Sequence, residues 1–175
     1  MKMYKILSVL LEYPEQELID NLPEIKTWVD ETTELEKQER SVLKTFVEQM
    51  EAKSLLELQA EYVNTFDMNA EHSLHLTHHL FGDDKNRGPA LIDLGELYKD
   101  YGVEVSDSTK ELPDYLPLVL EFAAYLDGSE STVFLSDAKK VFGVLEDNLK
   151  KAASPHADLI SIIADRASLT RIEAA

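Results

Sequence analysis

Apolar residues recur every third or fourth position from Met3 to Ile163, and no stretch alternates apolar and polar side chains long enough to make a sheet. That spacing gathers apolar groups along one side of an α-helix. Met3, Ile6, Leu7, Leu10 and Leu11 form the first such face, which Pro14 ends. Only six glycines and six prolines interrupt 175 residues, so the regular segments are long and tight turns few. A second helical segment carries Trp28 and is expected to break near Pro23. Thr33 with Glu36 reads as a capping box for a helix bearing Leu43, Phe46, Val47 and Met50; Ser54 with Glu57 reads as another, ahead of Leu55, Leu58, Tyr62 and Phe66.

Further along, Pro89 suits the first turn of a helix expected to bury Leu91, Leu94, Tyr98 and Tyr101, with Gly102 as its left-handed stop. The segment from Asp114 to Leu126 is apolar nearly all round, with Glu121 its main polar interruption, and belongs in the middle of the domain. After a turn at Asp127-Gly128-Ser129, the stripe from Phe134 to Leu149 predicts one long helix. Ser154-Pro155 opens the last one, through Ile163 to about Leu169. The only long connection runs from Gly102 to Leu112, and Val103-Glu104-Val105 is too short for a sheet. The pattern predicts an all-α, single-domain bundle of eight or nine helices spanning residues 1–175.

Charge narrows the function. The chain carries 34 acidic against 17 basic side chains, a formal charge of −17. Such a surface repels phosphate backbones and anionic membranes and attracts basic peptides. No cysteine is present, which removes disulfides, thiolate metal sites and cysteine nucleophiles. The apolar run Ile6–Leu11 is too short for a secretory signal, and no stretch approaches the roughly 20 apolar residues that span a bilayer. A soluble, cytoplasmic protein with no nucleic-acid partner and no direct membrane insertion is expected.

His72, His75, His78 and His79 are the most chemically suggestive cluster. On one helix, His72, His75 and His79 would share a face, and with Glu71 or Asp83 they could hold zinc or iron. Bundle metal sites, however, draw ligands from several helices through Glu-x-x-His pairs, and the chain has no such pair. A surface or groove-lining histidine cluster is the better reading, with a metal-binding helical enzyme or sensor over His72–His79 as the alternative. The loop Gly82–Pro89 lacks a phosphate-binding fingerprint, so Arg87 is expected to pair with Asp83, Asp84 or Asp93. Neither a nucleophile elbow nor a catalytic dyad is visible, and the chain does not read as an enzyme.

The order of several short motifs carries a resemblance. Leu10-Leu11-Glu12-Tyr13-Pro14 opens the chain; Tyr62-x-x-x-Phe66-Asp67, Ser73-Leu74, His79-x-x-Gly82 and Arg87-Gly88-x-Ala90-x-x-Asp93-Leu94 follow; Glu111-Leu112-Pro113-Asp114 precedes Leu116-Pro117. Over about residues 6 to 126 the chain resembles the NarJ-type nitrate reductase molybdenum cofactor assembly chaperones, within the wider TorD-like redox-enzyme maturation chaperones. It departs at Tyr115, where that pattern usually has histidine, and it ends at Ala175, earlier than the family leads one to expect.

The resemblance implies a TorD-like helical fold that binds the N-terminal segment of the catalytic (alpha) subunit of a respiratory nitrate reductase until the molybdenum cofactor is inserted. The cofactor enters the client and none is held stably by the chaperone; cofactor-biosynthesis proteins are further candidate partners. A tail that folds as an amphipathic helix needs an apolar groove. The helices ending at Phe66 and Tyr101 and the helix Leu116–Leu126 are expected to wall it. The expected binding face comprises Tyr62, Phe66, His79, Arg87, Asp93, Glu111, Pro113, Asp114 and Tyr115, with Asp114 capping the helix that follows it.

Overall fold

The computed structural model describes residues 1–106 and 110–168. Among them are ten α-helices: α1 (Lys2–Leu11), α2 (Gln16–Glu31), α3 (Lys37–Glu51), α4 (Leu55–Tyr62), α5 (Leu76–Phe81), α6 (Arg87–Asp100), α7 (Leu116–Tyr125), α8 (Gly128–Ser136), α9 (Lys139–Lys151) and α10 (His156–Arg166). The all-α reading holds: among the described residues the only sheet-like pairing is one isolated bridge, between His75 and Tyr115.

α1 is the central helix because it is buried on nearly every side, including Met3, Tyr4, Ile6, Leu7, Leu10 and Leu11. It lies along α7 and against α2; α3 covers α2, and the pair α9–α10 closes the other side of the core. Ser8, the one polar residue in that face, is satisfied by donating to the Pro117 carbonyl at 2.8 Å. Arg166 ties α10 to α3 through Glu39 and the Glu34 carbonyl.

Several local expectations shift. α2 does not break at Pro23; Leu22, Ile25 and Val29 remain locked in the core, which outweighs the missing amide hydrogen bond. The capping box before α3 sits one turn later, at Glu36 and Glu39. Leu35 is drawn into the core, and the Arg40 guanidinium gathers the carbonyls of Val29, Asp30 and Thr32 at the end of α2, so the connector stays irregular to Glu36. The Ser54–Glu57 box is in place.

The single helix expected from Phe134 to Leu149 is two, which brings the total above nine. Asp127 caps α8 with Glu130, and the break at Asp137–Ala138 lets Phe134 meet Phe122 at 5.0 Å while Val141, Phe142, Leu145 and Leu149 enter the main core. α6 buries only Tyr98 of the four residues expected; Leu91 and Leu94 are half-buried and Tyr101 is exposed. This helix is anchored at its end, where Tyr98 stacks on Phe122 at 4.6 Å and donates to the Pro113 carbonyl at 2.8 Å. Gly102 stops it at φ +73°, with Val103 N–H returning to Tyr98 O and Gly102 N–H to Lys99 O. α10 ends at Arg166, and Leu169, its expected end, lies outside the described residues.

Candidate functional site

Two sequence-distant motifs meet at one clip. Pro113 and Asp114 make a turn closed by Tyr115 N–H on the Leu112 carbonyl at 3.0 Å, and Tyr115 (φ −64°, ψ 121°) then pairs antiparallel with His75 (φ −87°, ψ 104°). Leu76 N–H donates to the Asp114 carbonyl at 3.1 Å, and Leu116 N–H to the Leu74 carbonyl at 2.8 Å. His75 and Tyr115 are therefore the N-caps of α5 and α7, and both helices start from the bridge.

Asp114 is fully buried at this junction. It does not cap α7, as expected, but the other helix: Oδ2 accepts from Thr77 N–H at 2.9 Å and from the Thr77 hydroxyl at 2.5 Å, while His75 Nδ1 lies 3.3 Å from Oδ1. Burial opposes its charge, but the hydrogen bonds from His75 and Thr77 outweigh it and hold the carboxyl below its ordinary range. Arg87, expected to pair with nearby carboxylates, instead donates from Nε to the Thr77 hydroxyl at 3.1 Å. It thereby joins α6 to the same network.

The histidines do not share a helical face. His72 lies in a separate 3-10 turn, Ala70–His72, with Nδ1 2.9 Å from the Thr65 carbonyl. His79 Nε2 is 2.7 Å from the Ser73 carbonyl, and His75 faces Asp114 and Glu111. These three rings have separate partners, while His78 meets the His79 ring edge-on at 5.8 Å, and among the described residues no three His, Asp or Glu side chains converge on a point that could hold an ion.

In front of the clip lies a hollow of about 200 Å³ lined by Tyr13, Tyr62, Phe66, Asp67, Ser73, Leu74, His75, Glu111 and Tyr115. The Tyr62 and Tyr115 hydroxyls share a 2.7 Å hydrogen bond. Tyr13, Glu111 and Tyr115 also line a much larger groove, of about 990 Å³, so the two adjoin across these side chains. Its floor is apolar: Val9 of α1, Leu18, Ile25 and Trp28 of α2, Leu118, Phe122 and Tyr125 of α7, and Val103 and Val105 beyond α6. Among the described residues seven glutamates rim it, Glu12, Glu15, Glu17, Glu24, Glu104, Glu111 and Glu121, against one lysine, Lys5, which already pairs with Glu121. The Glu12 carboxyl is raised, first by loss of hydration and then by the charge of Glu121. Crowded carboxylates over an apolar floor make a receptor for something basic and amphipathic.

The match with known proteins agrees with this architecture. The family model described as nitrate reductase delta subunit matches residues 30–160. The chain belongs to the nitrate reductase delta subunit family. It is 32% identical over 158 residues to the nitrate reductase molybdenum cofactor assembly chaperone NarJ of Escherichia coli strain K12, covering 90% of this chain and 66% of that one. It is 33% identical over 164 residues to the probable chaperone of the same name from Bacillus subtilis strain 168, covering 91% and 85%. A nitrate reductase-like protein, NarX, of Mycobacterium tuberculosis is 30% identical over 156 residues, 23% of its length. The chain thus spans just under two thirds of the length of the E. coli relative.

Within this family member, the residues singled out in the sequence divide into three groups. Tyr62, Phe66, Glu111 and Tyr115 line the hollow. Asp114, Pro113, Arg87 and His79 stand behind it and hold the clip or its flanks. Asp93 is exposed on α6 and lines neither the hollow nor the groove. The walls also differ from expectation, since α6 contributes only Tyr98 while α1 and α2 supply a full side. Leu118, Tyr125 and the glutamates at the start of and within α2 (Glu15, Glu17 and Glu24) are the residues that reading motifs overlooks; for the two on α7 the all-round apolarity of that helix was the one trace, because one face of it enters the core and the other lines the groove.

Proposed function

We propose that the groove receives the N-terminal segment of the catalytic subunit of a respiratory nitrate reductase, bound as a basic amphipathic helix. The chain then acts as a cytoplasmic, system-specific chaperone rather than an enzyme. It holds the apo-subunit while the molybdenum cofactor is inserted into that client. The observation that carries this reading is the pairing of an apolar floor with a rim of seven glutamates and one lysine. The relatives' names point to nitrate reductase as the client, and the groove supports its N-terminal segment as the part that is gripped. At about 990 Å³ the groove sits at the upper end of small-ligand sites, and its span across three helices suits a peptide better than a compact molecule.

The only tryptophan of the chain, Trp28, lies in the groove and reports directly on its occupancy. Titrating a synthetic peptide of the client's N-terminal segment should shift Trp28 emission saturably at micromolar concentration. Leu118→Asp, on the floor, should weaken binding at least about tenfold with helicity unchanged by circular dichroism. A folded wild-type protein that leaves the peptide free at those concentrations would overturn the reading.

A further inference from the structure

The hollow that adjoins the groove has a composition of its own. Four aromatic side chains line it, Tyr13, Tyr62, Phe66 and Tyr115, in about 200 Å³. Tyr13 stands edge-on to Tyr62 at 5.4 Å, Phe66 tilts against Tyr62 at 4.9 Å, and the Tyr62–Tyr115 hydroxyl pair locks the remaining wall. Glu111 and Asp67 bring carboxylates to the same space, and among the described residues no lysine or arginine lines it. His75 is held at the edge by Asp114, with its other nitrogen 3.4 Å from Glu111.

We propose that this hollow is a cage for one arginine side chain of the bound segment. The proposal deepens the reading above and rests on it for the identity of the client, but not for the chemistry of the cage. An apolar side chain placed here would strip water from two carboxylates without replacing it, and an anionic one would be repelled. A cation gains from the carboxylates and from the π-faces of the rings together. Arginine fits better than lysine because its planar fork stacks on rings and offers five donors to several oxygens at once, whereas an ammonium is a compact, strongly hydrated point charge. The negative field is visible in Tyr115: burial lifts its phenol, and the carboxylates of Glu111, Glu12 and Asp67 add to the rise against the Tyr62 hydrogen bond, to about 12.

The test uses the full chain and a probe independent of the client, N-acetyl-L-argininamide, followed by NMR chemical shifts. Saturable shifts at Tyr62, Glu111 and Tyr115 are expected, with none from the neutral isostere N-acetyl-L-citrullinamide. Asp67→Asn with Glu111→Gln, both at exposed positions, should weaken arginine binding about tenfold. Equal shifts from the citrulline compound, no saturation at the hollow, or binding of N-acetyl-L-lysinamide as tight as that of arginine would each overturn the assignment. The citrulline comparison needs only wild-type protein, so a variant that fails to fold does not blunt the test. Client peptide that binds with its arginines replaced by citrulline, while argininamide leaves the hollow untouched, removes the cage and keeps the groove. Argininamide binding in a protein that ignores the client peptide does the reverse.

Discussion

Asp114 is a charge with no exposed surface, and its position explains why a short motif can hold two distant segments together. Its carboxylate meets the N-terminus of α5 with two hydrogen bonds from Thr77 and one contact from His75. Hydrogen bonds to a buried charge are among the stronger ones, so Asp114→Asn should cost about 2 kcal/mol in denaturant unfolding at neutral pH. The folded carboxyl titrates below its ordinary value of 3.8, so its contribution is complete above that pH and lost as pH falls through the folded value. The deficit of Asp114→Asn should therefore shrink in acid, and a deficit constant down to pH 2 would contradict this account. His156 is also shifted down, but by loss of hydration that disfavours its charged form rather than by hydrogen bonds that favour it. It is half-buried against Phe46 at 5.1 Å and Phe66 at 4.9 Å, and burial, with Lys53 adding, pushes it down from 6.5 to about 4. The unfolded chain takes up a proton below pH 6.5 that the folded one refuses until about pH 4, so wild type loses stability across that window as pH falls. The loss is on the order of 3 kcal/mol, and His156→Leu should flatten the pH profile there relative to wild type.

At the scale of elements, two glycines show how the same residue serves opposite ends. Gly102 stops α6 at φ +73°, where a side chain is strained even though nothing stands within 4 Å of the added carbon. Gly102→Ala should therefore destabilise by about 1 kcal/mol through backbone strain alone. Gly143 lies inside α9, also with open space around it, so Gly143→Ala should stabilise by about 1 kcal/mol. Thermal melts of the two variants should move in opposite directions. α7 is the element on which fold and function share a helix. Leu116, Val119, Leu120 and Ala123 build the core, whereas Leu118 and Tyr125 face the groove. Substitutions on the first face should read out in stability and on the second in peptide binding.

For the whole molecule, the charge of −17 attracts a basic partner from any side, and the groove carries part of it. Seven of the glutamates ring one groove, so the association rate of a basic client peptide should fall several-fold as ionic strength rises from about 0.02 to 0.5 M, with a smaller change in dissociation. Stopped-flow measurement on Trp28 separates the two rates. An association rate independent of salt would mean that the rim does not guide capture.

Helical class, most element positions, the Ser54–Glu57 cap and the Gly102 stop were legible in the residues because each depends on neighbours within one turn. So were the motif residues that line the hollow, Tyr62, Phe66, Glu111 and Tyr115. The partner of Asp114, the separation of the histidines, the break between α8 and α9 and the groove wall made by α1 and α2 were not. Local spacing specifies which face of a helix is apolar, but not which apolar face stays uncovered after packing. Only the tertiary arrangement decides that, because a bridge between His75 and Tyr115 joins segments 40 residues apart and sets the start of α7, whose Leu118 and Tyr125 then line the groove with α1 and α2.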